Sequence, residues 1–292
     1  MPVMPLLPSA RRRIGWFGVV VVIAATLSSC GGTTTPSTTT VPGVVPTPAE
    51  QAATLAATNA YRSQIVNAAT SFNTAVRALA TDLQQSKTGA AIAAWRVAEQ
   101  SFDGLRPELS GGPATWSQLS GPVRSDGSGG GLQSVAFGLF HGPTSVAADA
   151  SPGLVLAGAT YAIGVFRTIV QPSTIAAHQV ENLGYLVTTC LGGNPEPWSH
   201  EQALDVRAVA AGVISASSAL IPLARLVVPG PATLLRADLA GLAQAVGELG
   251  SDDGVLTSAE TRAIATKATI LQGVLGQIAG AFAGYSNGRY FA

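Results

Sequence analysis

Charged side chains are scarce in this chain. Asp, Glu, Lys and Arg make up 11% of 292 residues, and the 16 basic residues balance the 16 acidic ones. With no net charge and no basic stripe, nucleic acid is excluded as an expected partner. Aromatic residues are few, at 6%, and there are only 2 cysteines and 3 histidines, His141, His178 and His200. The chain has no GxSxG elbow, no glycine-rich phosphate loop and no CxxC pair. That removes the recognisable signatures of serine hydrolases, nucleotide binders and dithiol redox proteins. No pair of segments alternates in the strand period. Beyond the first thirty residues, glycine, proline or a charge interrupts every apolar stretch, so no second membrane span is expected.

What is present begins with an export signal. Arg11, Arg12 and Arg13 precede an apolar run from Ile14 to Leu27, which leads into Leu27-Ser28-Ser29-Cys30 and then Gly31 and Gly32. The run is short for a spanning helix, and small residues follow it, so the segment reads as a cleaved signal peptide over 1–29. A cysteine directly after the small pair makes it the lipoprotein kind, with Cys30 the lipidated residue. Acyl chains anchor a protein at about 0.8 kcal/mol per buried CH₂, and two or three hold it firmly. The expected location is the extracytoplasmic face of the cell membrane, periplasmic or cell-wall side. Residues 30–48 are a tether: Thr33 to Pro48 reads TTTPSTTTVPGVVPTP, which offers almost nothing to bury. Residues 49–292 are the folded domain. With Cys30 lipidated, Cys190 has no disulfide partner in the chain, and its apolar setting predicts a buried, inert thiol.

The domain reads as all-α. Tyr61, Ile65, Ala68, Phe72, Val76 and Leu79 recur at steps of three and four within a helix over 49–85. A second helix spans 89–105, with Ile92, Trp95, Ala98 and Phe102 on one face. Residues 110–130 read as loop. Further helices are expected over 131–140, 152–170, from a Ser173 cap to Cys190, from a Ser199 cap to Leu220, over 231–249, and from a Ser258 cap onward. Pro172 and Pro222 are read as stops or kinks. Several helices with short connections make a helical bundle.

Two local patterns carry possible chemistry. His178 and Glu181 are three apart on one helix, so imidazole and carboxylate share a face. They are either a solvated pair or two metal ligands, with His200 and Glu196 as the residues that would complete a set. Ser199-His200 poses a similar choice. Ser199 as helix cap leaves His200, Glu201 and Asp205 decorating the first two turns; alternatively His200 and Glu196 line a pocket with Asp205.

Three segments together resemble the imelysin-like family, and within it the EfeO-type iron-uptake lipoproteins. They are Ala93-Ala94-Trp95 through Asp103 to Pro107, then Gly131 through Phe140-His141-Gly142, and then Gly193 through Glu196, Ser199, His200 and Asp205. Their order and spacing match the family over about Ala56 to Leu249. The resemblance implies an all-helical fold of two packed bundle-like halves. It also implies iron, or another divalent or trivalent metal ion, as ligand, and an iron permease or haem peroxidase as partner components.

This chain departs from the family where the metal would bind. The positions of the family's HxxE pair hold Gln133 and Ala136, Arg106 replaces an acid, and Pro195 replaces one of two tandem acids beside Glu196. The family metal site is therefore expected to be lost. The expectation is a non-enzymatic accessory or binding lipoprotein of the cell envelope related to iron uptake. The alternative is a genuine metal binder using His178, Glu181, Glu196 and His200. A metallopeptidase ranks last, because neither a zinc triad nor a general base can be assembled from the motif.

Overall fold

The apolar stripe read along 49–85 becomes the buried face of a helix, with Tyr61, Ile65, Phe72, Val76 and Leu79 all buried. The computed structural model describes residues 46–104, 119–120, 130–165, 170–192, 199, 201–250 and 254–286. They form α1 (Pro48–Gln84), α2 (Thr88–Asp103), α3 (Gly131–Phe140), α4 (Thr144–Val165), α5 (Pro172–Tyr185), α6 (Gln202–Val227), α7 (Pro229–Gly247) and α8 (Ser258–Ser286), with one π turn, Leu186–Cys190, continuing α5. Among the described residues there is no strand. The bundle is the all-α architecture expected from the three-to-four periodicity.

The helices close into two four-membered rings. In the first, α1 packs on α2 and α4, and α3 bridges α2 and α4; in the second, α5 packs on α8 and α6, and α7 bridges α6 and α8. Helix α6 belongs to the second ring and also packs along α1 and α2 of the first. Both rings belong to one compact unit, Pro42–Ala292.

The first core is aromatic. Trp95 and Phe140 meet edge to face with ring centroids 5.3 Å apart, and Phe72 lies 6.2 Å from Phe102. The Trp95 indole N–H donates to the Leu132 carbonyl at 3.2 Å, which ties α2 to α3. The second core is mainly aliphatic, with Leu235, Leu239 and Leu242 of α7 and Ile264, Leu271, Leu275 and Ile278 of α8 all buried, and Phe282 closing the α8 stripe. Each such side chain contributes about 1.5–3 kcal/mol by leaving water.

Helix ends differ from the sequence reading in instructive ways. The Thr47 hydroxyl accepts from the Glu50 N–H while the Glu50 carboxylate accepts from the Thr47 N–H, a reciprocal capping box. The last two residues of the expected tether, Thr47 and Pro48, are thus cap and first turn of α1. Leu119 and Ser120, inside the expected loop, are helical, and Leu119 is fully buried. Helix α4 starts at Thr144, not at Pro152, which lies inside it. Proline has no N–H for the Ala148 carbonyl, and the Ser151 hydroxyl donates to that carbonyl instead, at 3.1 Å. Pro222 likewise sits inside α6, which runs on to Val227 rather than stopping at Leu220.

Three expected serine caps also move. Gln171 precedes α5 with Pro172 in its first turn, so Ser173 is already helical. The cap position of α6 is Glu201, and Ser199 sits two residues before it, its hydroxyl accepting from the Glu201 N–H at 3.4 Å. Thr257, not Ser258, closes a capping box with Glu260 at the start of α8. Helix α7 begins at Pro229, two residues before the proline expected to start it. The sequence Ser251-Asp252-Asp253-Gly254 reads as a turn, and its first three residues lie outside the described residues.

Candidate functional site: a buried carboxylate cluster

The seam between α2 and the start of α6 is where the fold buries charge. On α2 the inward face carries Ala91, Trp95, Ala98, Glu99, Phe102 and Asp103, so two carboxylates one turn apart share the stripe with the aromatic anchors. On α6 the inward face carries Asp205 one turn before Val209, followed by Val213 and Ala216. Two glycines let the helices meet closely. A Cβ at Gly212 would lie 3.0 Å from the Gly104 carbonyl oxygen, tighter than side chains normally pack. Gln64 of α1 donates to the Gly212 carbonyl at 3.1 Å and locks the same junction from the third side.

This packing brings Glu99, Asp103 and Asp205 together. One ligand oxygen from each lies within 4.8 Å of the others. The residues are 2%, 1% and 1% exposed. Like charges at this spacing, shielded from water, repel one another. Such a group relieves itself by keeping protons, by drawing in a basic side chain or by holding a cation. An all-oxygen set suits hard cations: Mg²⁺, Ca²⁺, Mn²⁺ or a trivalent ion such as Fe³⁺.

One turn along the seam sits an ion pair. Arg96 of α2 donates from Nε at 2.8 Å and from Nη2 at 2.7 Å to the same oxygen, Oε1, of Glu201. The Arg96 side chain is 37% exposed and that of Glu201 only 3%. On the α1 side of the seam a groove of about 450 Å³ is lined by Gln64, Gln100, Ser101, Gly104, Arg207 and Ser215. Arg207 leaves this groove to donate to the Leu249 and Gly250 carbonyls, fixing the end of α7 against α6.

The residues singled out in the sequence are distributed differently. His178 and Glu181 lie one turn apart on α5, half-buried and exposed respectively, and neither belongs to the converging carboxylate group. Cys30, Arg106, Pro195, Glu196 and His200 lie outside the described residues. Gln133 and Ala136 both point into the core from α3, Gln133 at 6% exposure and Ala136 at 0%. Cys190 is fully buried, and its carbonyl accepts from Gln202 Nε2 at 2.6 Å.

Glu201 and Asp205 do not decorate a helix surface. They are buried because α2 lies across the first turns of α6. Glu99 was not among the candidate residues. The signal that finds it is a carboxylate on the apolar stripe of a helix, four residues after a tryptophan. No family model matches the chain, and no curated protein matches it.

Proposed function

We propose that this chain is a lipid-anchored, non-enzymatic binding protein of the cell envelope whose helical domain takes up a hard multivalent cation at Glu99, Asp103 and Asp205. The observation that carries the reading is the burial of three carboxylates with oxygens within 4.8 Å of one another. Three carboxylate oxygens gathered this closely match the all-oxygen ligand sets that hard cations take. The resemblance to EfeO-type iron-uptake lipoproteins adds iron as the ion to test first. It also adds a permease or haem peroxidase as the class of partner. In this reading the degenerate pair at Gln133 and Ala136 is not the ligand set, and α2 and α6 supply the oxygens.

The envelope location rests on Arg11 to Arg13, the apolar run and Ser29-Cys30. Equilibrium dialysis of the full chain in detergent against Mn²⁺, Ca²⁺ and chelated Fe³⁺ tests the ligand. Saturable uptake of at least one ion near one per chain, abolished in Asp205→Asn, is expected. No uptake, or uptake that Asp205→Asn leaves intact, removes the proposal. Radiolabelled lipid precursor tests the anchor: label on the parent and none on Cys30→Ser is expected, and equal label contradicts it.

A further inference from the structure

The α6–α7 hairpin ends in an exposed apolar tip. Arg225 to Arg236 reads RLVVPGPATLLR, and Val228 alone joins the two helices. Leu226 is 47% exposed and Leu234 54%. Pro222 and Pro229 are exposed beside them. The tip also carries few backbone donors. A helix start ordinarily leaves its first N–H groups unpaired. Here Pro229 and Pro231 have no N–H, and that of Ala232 donates to the Val228 carbonyl at 3.1 Å. The Thr233 hydroxyl donates to the Pro229 carbonyl at 3.1 Å. Between Asp205 and Asp238 the chain has no carboxylate side chain, while Arg225 and Arg236, both exposed, flank the tip. Apolar side chains ringed by cations suit the headgroup boundary of an anionic bilayer.

The fold puts this tip at the end of the bundle where the tether enters. Helix α1 starts at Pro48, directly after the residues that lead from Cys30. Helix α2 returns along α1 and brings Gly104 to the same groove as Gln64. Arg96 of α2 meets Glu201, and further along Gly104 meets Gly212, so α6 follows α2 and opposes α1. At that level Gln64 of α1 donates to the Gly212 carbonyl. From there α1 extends about 24 Å back to Pro48, and α6 about 22 Å on to Val227, so the two ends come out level. At the other end, the Ala203 N–H donates to the Gly254 carbonyl and the Leu256 N–H to Gln202 Oε1. The exposed Val255 therefore lies beside the start of α6, about 39 Å of helix from the tip.

We propose that the α6–α7 tip is a membrane-docking surface that rests on the anionic headgroups of the bilayer holding the residue-30 anchor. This inference rests on the lipid-anchored reading of Cys30. Residues 31–46 reach about 50 Å when extended, so the domain stays near the bilayer, and the end that carries Thr47 is the nearer one. The tether makes docking intramolecular, and a contact too weak to hold a free protein is then enough. Leu226 and Leu234 enter the headgroup boundary, Arg225 and Arg236 meet the phosphates, and the Val255 end faces away from the lipid.

The test uses the chain from residue 30 onward, which retains the whole compact unit. Its Cys30 thiol is coupled to a maleimide lipid in vesicles of phosphatidylglycerol and phosphatidylcholine; Cys190 is fully buried and does not compete. Coupling supplies the anchor chemically, so the outcome does not depend on whether cells lipidate Cys30, which the radiolabel on Cys30→Ser decides separately. Leu226→Trp, Leu234→Trp and Val255→Trp each place a fluorescent probe at an exposed position, with helix content recorded for every variant. Brominated acyl chains are expected to quench the added fluorescence at 226 and 234 and to leave that at 255 unchanged. Adding Arg225→Gln and Arg236→Gln to the Leu226→Trp chain is expected to weaken docking about twenty-fivefold, at about fivefold per basic residue near an anionic surface. Equal quenching at all three positions, no quenching at 226 and 234, or docking undiminished without the two arginines overturns the proposal. A blue shift at 226 that grows with protein density and comes without quenching would assign the tip to a second copy of the chain and overturn it as well.

Discussion

The α7–α8 contact and the α2–α6 seam solve the same packing problem with opposite chemistry. In the first, leucines and isoleucines at three-to-four spacing meet their like, and every charged residue of the two helices stays off the buried stripe. In the second, Glu99, Asp103, Glu201 and Asp205 occupy the buried positions among Trp95, Phe102 and Val209. Aliphatic contact alone is enough to hold two helices together, as α7 and α8 show. Carboxylates in the other seam add nothing to apolar packing, and a local departure from the apolar pattern is where a functional site is sought.

The widest gap between the two regions should appear on truncation. Leu275→Ala removes a fully buried side chain from the aliphatic contact and is expected to destabilise the domain by about 2–5 kcal/mol, read by denaturant unfolding. A loss well under 1 kcal/mol would show that this contact is looser than described. Neutralising a carboxylate in the other seam should have a smaller effect. Glu99→Gln keeps the shape of the side chain and leaves no cavity, so it is expected to change stability by under about 2 kcal/mol, read the same way. A loss as large as that of Leu275→Ala would show that the Glu99 charge is as important to the fold as the aliphatic contact.

A smaller effect is expected at the cap of α8, far from both cores. The Thr257 hydroxyl and backbone N–H both donate to Glu260 and hold its carboxyl below the usual value of 4.5. A lowered carboxylate pKa favours the fold above the ordinary carboxylate range, and that contribution is lost as the pH falls through the folded-state value. Thr257→Ala should return the Glu260 titration towards 4.5, followed by NMR. It should also lower the thermal midpoint by about 2–4 °C at neutral pH. An unshifted titration in the variant would contradict the capping box.

The bundle was legible because its signal is repeated. Tyr61, Ile65, Phe72, Val76 and Leu79 each vote for the same face, and all are buried. Helix ends were less legible because local chemistry overrides a general rule. Pro152 reads as a start, yet a neighbouring serine hydroxyl stands in for its missing N–H, and Pro222 is carried inside a helix whose other turns are well packed. The site was half visible. Asp205 stands out in the sequence as the acid following Ser199-His200, but its burial depends on α2 crossing α6, a long-range contact with no sequence signature. Glu99 and Asp103 sit on an apolar stripe that was read for its aromatics alone. The attraction of His178 and Glu181 came from spacing within one helix, which cannot show whether a third ligand faces them.

Thermal unfolding of the parent and of Asp205→Asn, each with chelator and with excess Mn²⁺, tests most directly whether the carboxylates at the α2–α6 seam take up a multivalent cation. With Mn²⁺ at about a hundred times its dissociation constant, the parent is expected to gain about 2.7 kcal/mol over its value with chelator, and the variant not to respond. Two proteins that respond equally to Mn²⁺, or a parent that does not respond at all, would contradict it.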